Sequence, residues 1–305
     1  MLENHHSRLA LTNSERALSR LFFLDLHLSS FALVLVLSAA VLHASWNAIV
    51  KGAGDKLVSA VAICIAAAVI AAAILPFVQQ PARASWPFIG ISVCLQTIYY
   101  SLVAAAYGRA DMSQAYPIMR GGAPMIVALI SGTLFAEVMP LAGWVGVGLI
   151  SLGILSMAAF GHGGGSRAGL GFALLNACVI AAYTLSDGLG VRRSDAAAGY
   201  TLWIFLLTAP PVVAWAVWLR GPGLIGQTFT RWRDGVIGGL GTMISYGVAL
   251  WAMTLAPVAM VAALRETSIL FATVISAFVL KETVGWRRIL SVVIIAAGAA
   301  VLRLA

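Results

Sequence analysis

Apolar residues run along this chain in blocks of about 20, the length that carries a helix across a hydrocarbon core, and short polar or glycine-rich joints separate them. The blocks fall at 28–50, 57–79, 86–107, 113–136 and 139–160, and again at 169–190, 197–219, 235–255, 258–280 and 285–303. They predict an all-α integral membrane protein with ten transmembrane helices. The chain also resembles itself when shifted by 145 positions: Arg120 falls on Arg265, Ser131 on Ser276, Glu137 on Glu282 and Gly153 on Gly298. A repeat unit with an odd number of spans must enter the membrane twice in opposite senses, which gives two inverted five-helix repeats. The expected organisation is a tail at 1–27, a first repeat at 28–160, a linker at 161–168 and a second repeat at 169–305.

Composition agrees with the pattern. Hydrophobic residues make up 61% of the 305 and charged residues 10%, against roughly 25% charged in soluble domains. The net charge of +8 comes from 19 Lys and Arg against 11 Asp and Glu. These basic residues sit mostly in short joints between apolar blocks, and no basic helix or aromatic-basic platform points to nucleic acid. Cys64, Cys94 and Cys178 each lie inside an apolar run, without the paired spacing of a metal site or a disulfide framework, and read as small packing residues. Arg8, Arg16 and Arg20 precede the first apolar run, which continues to Val50 and so reads as a signal anchor; His5 and His6 read as tail residues. The joint from Gly161 to Gly169 is glycine-rich but lacks the Gly-Lys-Ser/Thr ending of a phosphate cradle and reads as a connector. No cofactor is expected. Transport would draw on gradients of substrate, protons or other ions.

Polar side chains inside the blocks are costly in lipid and mark a cavity or a helix contact. His43, Trp46 and Asn47 share one face of the first span, and Asn176, Tyr183 and Asp187 one stripe of the sixth. Each stripe serves either substrate contact or helix packing. Asp187 lies close in sequence to Arg192 and Arg193, which predicts an interfacial charge cluster. Gln96, Tyr99 and Tyr100 in the third span and Tyr246 in the eighth are mid-span groups that need hydrogen-bond partners. Trp86, Trp144, Trp232 and Trp286 fall near span ends and read as an interfacial belt.

Arg120 is followed by Gly121, Gly122 and Pro124, which loosen the helix where an arginine meets an anionic group; Arg265 is followed by Glu266, which predicts a local ion pair. Both arginines serve either as ligand contacts or as helix-to-helix anchors. Glu137 and Glu282 lie 17 residues beyond them, about 25 Å along a helix, and read as structural fixtures of the turns. The candidate substrate-binding set is therefore His43, Trp46, Asn47, Gln96, Tyr99, Tyr100, Arg120, Asn176, Tyr183, Tyr246 and Arg265.

The repeated arginine-to-glutamate helix, Phe-Ala-Glu at 135–137, Leu-Lys-Glu at 280–282 and the glycines of the span after each resemble the EamA-type members of the drug/metabolite transporter superfamily. The resemblance covers 28–303. It implies a ten-helix carrier of the bacterial-type inner (plasma) membrane with both termini cytoplasmic, often an exporter of amino acids or related small metabolites. Loop charges point the other way. The terminal side carries Arg8, Arg16, Arg20, Arg83, Arg192, Arg193 and Arg303, and the opposite side the longer set Lys51, Lys56, Arg109, Arg167, Arg220, Arg231, Arg233, Lys281, Arg287 and Arg288.

The expected partners are a small-molecule substrate, the lipid bilayer and coupling protons or ions. A second reading is proton-coupled efflux of lipophilic cations, for which Glu266 is the one mid-span carboxylate of the ninth span. An intramembrane enzyme would need a nucleophile with a base, and the spans offer a single mid-membrane histidine without metal-ligand spacing.

Overall fold

The computed structural model describes residues 29–50, 55–134, 137–160, 166–279, 281 and 284–305. The tail 1–27, Lys51, Phe135, Ala136, residues 161–165 of the linker, Leu280 and Glu282 lie outside the described residues. All regular structure among the described residues is helical. The helices are α1 (Ser30–Val50), α2 (Lys56–Ile74), α3 (Trp86–Tyr107), α4 (Met112–Leu134), α5 (Leu141–Phe160), α6 (Arg167–Arg192), α7 (Ala197–Arg220), α8 (Gly223–Thr230), α9 (Trp232–Ala252), α10 (Val258–Arg265), α11 (Ser268–Phe278) and α12 (Trp286–Leu302). Among the described residues, eight segments are long and apolar enough to cross a membrane: α1, α2, α3, α5, α6, α7, α9 and the α10–α11 pair. Large apolar side chains such as Phe77, Leu152, Trp218 and Phe278 point outward, the arrangement a bilayer solvates. The protein is an all-α, multi-pass membrane protein.

Local chemistry sets the helix ends. Asp55 caps α2 by accepting from the Leu57 and Val58 amides at 2.9 and 3.2 Å. Ser166 caps α6 through the Gly169 amide at 3.1 Å, and its hydroxyl donates to the Arg109 carbonyl at 3.0 Å, tying the two connections together.

Two features depart from the apolar pattern. The connection after α7 holds the short helix α8. The block at 258–280 is two helices rather than one, because the Glu266 and Thr267 amides turn back to the Ala263 and Leu264 carbonyls at 3.0 and 3.1 Å, a tighter i to i−3 turn. The Thr267 hydroxyl also donates to the Leu264 carbonyl at 2.6 Å. The break falls inside the most buried of the eight segments, with 67% of its apolar window inside the protein against 11% for the segment of α3.

The two halves interleave. α3 and α4 of the first half pack on α6 of the second, while α9, α10 and α11 of the second pack on α1 of the first; α2 packs on α7, and α5 on α12. The α5–α12 seam is made by glycines. A Cβ on Gly153 would lie 3.0 Å from the Ile295 nitrogen and the Ser291 oxygen, and one on Gly298 would lie 2.8 Å from the Ile150 nitrogen. Side-chain-free backbones approach here as small residues allow in membranes, and the Ser156 and Ser291 hydroxyls bond at 2.7 Å across the seam.

Candidate functional site

A cavity of about 1250 Å³ enters the bundle from one face. Its mouth is formed where α2, α4 and α12 begin, by Lys56, Met112, Ser113, Trp286, Arg287 and Arg288. Its walls carry His43, Trp46 and Asn47 of α1, Ser59 and Ile63 of α2, Tyr116 and Pro117 of α4, Met157 of α5, and Ser268, Ile269 and Ser276 of α11. Among the described residues, the charged side chains that line it are basic. Its inner end reaches the helix break, where Ser268 opens α11.

His43 leads from this cavity into a second, much smaller pocket bordered by Arg120, Ser245 and Arg265. Beside it the Arg120 Nε lies 2.8 Å from Glu266 Oε2, with side chains 11% and 6% exposed. The pair ties the first half to the second. Arg265 turns elsewhere, onto the face of Tyr246 at 4.8 Å from the ring centroid, a cation–π contact. The expected pairing of Glu266 with its neighbour Arg265 is thus corrected: the helix break sends these side chains to different partners.

The opposite face is sealed. Glu137 Oε1 accepts from Arg192 Nη2 at 2.9 Å and from the Val258 amide at 3.1 Å, so the first half caps α10 of the second. Arg192 also donates to the carbonyls of Met253 and Ala256 at 2.7 and 3.0 Å. The Ala82 amide donates to the Ser194 carbonyl at 2.9 Å, and Trp203 donates to Gln80 at 2.8 Å. Asp187 has no part in a charge cluster with Arg192 and Arg193, contrary to expectation. It is fully buried and accepts from Tyr246 at 2.5 Å and Tyr200 at 3.2 Å.

Residues 167–304 match the model of the EamA-like transporter family. The second half of the chain is thus similar to a domain of that family. Members of the family are membrane transporters, which supports a transporter of small molecules embedded in a lipid bilayer. No curated protein matches the chain. A crystal structure of a protein superposes with a TM-score of 0.70 at 20% identity, over 90% of this chain and 99% of its own, and so supports the fold alone.

The EamA-like domain and the helices before it distribute the expected site residues in two groups. His43, Trp46 and Asn47 line the cavity, and Arg120 and Arg265 border the small pocket at its inner end. Trp46 stacks edge-on to His43 at 5.3 Å and lies against Gly241 of α9, where a Cβ would sit 2.5 Å from the indole. Its buried Nε1 has no hydrogen-bond partner among the described residues. Asn47 turns back onto the His43 carbonyl at 2.8 Å. The others pack between helices. Gln96 donates to Ser92 at 3.0 Å; Tyr99 meets Tyr100 and Tyr183 edge-on at 5.3 and 6.1 Å; Cys64 donates to Tyr100 at 3.3 Å. Asn176 donates to the Met119 sulfur at 2.9 Å, and its buried Oδ1 has no partner among the described residues.

Lining residues absent from the sequence-based set include Tyr116, Lys56, Arg288 and Trp286, the last expected only as an interfacial aromatic. Tyr116 was within reach of the pattern, since it precedes Arg120 by one helical turn. At the mouth-side end of α2, Arg220 pairs with Asp55. Burial works against the Asp55 charge, but Arg220 and the Val58 and Leu57 amides outweigh it and hold the carboxyl below the ordinary aspartate range.

Proposed function

We propose that this protein is an alternating-access secondary carrier that exports small polar or amphipathic metabolites, amino acids foremost, across a bacterial-type inner membrane with its termini in the cytoplasm. The observation that carries the proposal is the asymmetry of the bundle: a large cavity open on one face, ending at a buried Arg120–Glu266 pair, and a latched seal on the other. In this reading α4 and α12 cross the membrane as well, which completes ten crossings in two inverted repeats. Support comes from the packing, where exchanging each helix with its counterpart turns α3 on α6 into α9 on α1, and α4 on α6 into α10–α11 on α1. The C-terminal end of α12 lies on the sealed side, so cytoplasmic termini leave the cavity open to the exterior.

Substrate enters between α1 and α11, with the Trp46 Nε1, the His43 ring and the Arg265–Arg120 edge as its polar contacts. The lining supports this over efflux of lipophilic cations, because Lys56 and Arg288 would repel a cation and Glu266 is already matched by Arg120. The test is uptake into liposomes holding the purified protein, across a panel of amino acids and organic cations, with and without a pH gradient. Saturable amino-acid flux that falls on Trp46→Phe supports the proposal. Flux of organic cations alone overturns the substrate class, and no flux of any compound by folded protein overturns the carrier.

A further inference from the structure

The sealed side of the bundle contains a buried acid that the cavity does not reach. Asp187 lies on α6 five residues before Arg192 and is 0% exposed. Hydroxyl groups hold its carboxyl: Tyr246 of α9 donates to Oδ2 at 2.5 Å and Tyr200 of α7 to Oδ1 at 3.2 Å. Among the described residues no cation pairs with it directly. Arg265 of α10 sits over the ring of Tyr246, which bonds the carboxylate. α4 brings Arg120, matched by Glu266, and the two arginines at the C-terminal end of α6 are engaged elsewhere, Arg192 by Glu137 and Arg193, just past the helix, by the ring of Phe88 at 4.9 Å.

We propose that Asp187 is a proton-binding site, loaded from the sealed side and coupled to the cavity through Tyr246 and Arg265. An acid kept for structure in a membrane helix is ordinarily matched by a cation. This one is instead held by neutral hydroxyls, which can donate to the charged form and rotate to accept from the protonated form. Because the carboxyl is held by rotatable hydroxyls, movement of one donor alters how well each form is hydrogen-bonded. The connection to the cavity is continuous: His43 borders both the cavity and the small pocket, Arg265 borders that pocket, Arg265 lies on Tyr246, and Tyr246 bonds Asp187. A ligand that draws Arg265 toward the cavity moves it off Tyr246. The step is one proton added from water to the Asp187 carboxylate, or returned to water, with no other bond made or broken.

The sidedness rests on the alternating-access reading, whereas proton binding itself does not, and the experiment separates them. Infrared difference spectra of the full-length protein in lipid vesicles, recorded as pH is stepped through the neutral range, report the C=O stretch of a protonated carboxyl without any substrate. The expected result is such a band in the wild type, growing as pH falls, absent in Asp187→Asn, shifted in midpoint in Tyr246→Phe and retained in Glu266→Gln. Aspartate-specific ¹³C labelling must move the same band, which keeps the test decisive should Asp187→Asn fail to fold. A band that survives in Asp187→Asn, ignores aspartate labelling, or is missing from the wild type overturns the proposal. Failure of the transport panel with this band intact would instead count against the carrier reading alone.

Discussion

The sealed and the open faces of the bundle use similar residue types for different ends. On the sealed face a carboxylate, an arginine and a helix start converge: Glu137 holds Arg192 and the first amide of α10, and the side chains of the pair are 10% and 27% exposed. On the open face Asp55 and Arg220 also form an ion pair, but their side chains are 40% and 45% exposed, and Asp55 caps a helix of its own half. The first pair binds one half of the molecule to the other where water is largely excluded. The second sits where solvent screens it and leaves the cavity mouth unobstructed. A carrier that opens one face at a time needs bonds strong enough to hold a closed face and weak enough to release it, and partial burial of a charge-assisted network meets both demands.

The largest effect is expected between the faces, at the Arg120–Glu266 pair. Removing one member of a buried pair leaves an uncompensated charge and costs on the order of 3–5 kcal/mol. Arg120→Met should therefore lower the thermal unfolding midpoint of the detergent-solubilised protein strongly. Adding Glu266→Leu should restore most of it, because an apolar pair of similar volume often replaces a buried ion pair without loss. A double variant no more stable than Arg120→Met would show that Arg120 is anchored by something other than Glu266.

Next in size is the latch. Glu137→Ala removes an acceptor shared by Arg192 and the Val258 amide, and lost hydrogen bonds to a charged group cost about 1.5–3 kcal/mol. Its sharper consequence is conformational. A cysteine placed at Ser194 should react faster with a membrane-impermeant maleimide in the Glu137→Ala background, and one placed at Ser113 in the mouth should react more slowly. Equal labelling in both backgrounds would mean that the seal does not depend on Glu137.

These contacts mark where sequence reading succeeds and where it stops. Span positions were legible to within a few residues, because a helix in lipid must be apolar over a fixed length. The α1 stripe was legible too, since His43, Trp46 and Asn47 share a helical face by spacing alone. Partner choice was not. Asp187 and Arg192 look adjacent in sequence, yet five residues turn a helix by roughly 140°, which sends one to the Tyr200 and Tyr246 hydroxyls and the other to Glu137. Arg265 and Glu266 are neighbours, but the helix ends between them. The break itself has no proline or glycine to announce it: Arg265-Glu266-Thr267-Ser268 reads as ordinary helix, and the turn is held by the Thr267 hydroxyl and the Arg120 contact from the other half.

A smaller effect tests the cavity wall. Gly241 leaves room for the Trp46 indole, and a Cβ there would lie 2.5 Å from the ring. Gly241→Ala must displace Trp46, and overpacking of this kind costs about 1–3 kcal/mol. Quenching of tryptophan fluorescence by acrylamide from the open face should rise as the indole moves into the cavity. Trp46→Phe should remove that increment, and an increment that persists would assign it to another tryptophan.

The smallest effect belongs to the open face and completes the contrast. Because Asp55 is held below the ordinary aspartate range in the folded protein, its contribution is fully present above the unfolded-state value and is lost as pH falls through the lower folded value. The pair is well exposed, so its worth is that of a screened surface bridge, on the order of 0–1 kcal/mol. Wild type and Asp55→Asn should therefore differ slightly in unfolding midpoint at neutral pH and converge as the medium is acidified, and added salt should narrow the gap at neutral pH. Glu137→Gln offers the comparison. Its deficit at neutral pH should withstand salt, since Arg192 and Glu137 are shielded from the ions that reach Asp55. Equal sensitivity of both deficits to salt would erase the distinction between a buried latch and a surface bridge, and with it the reason for calling one face sealed.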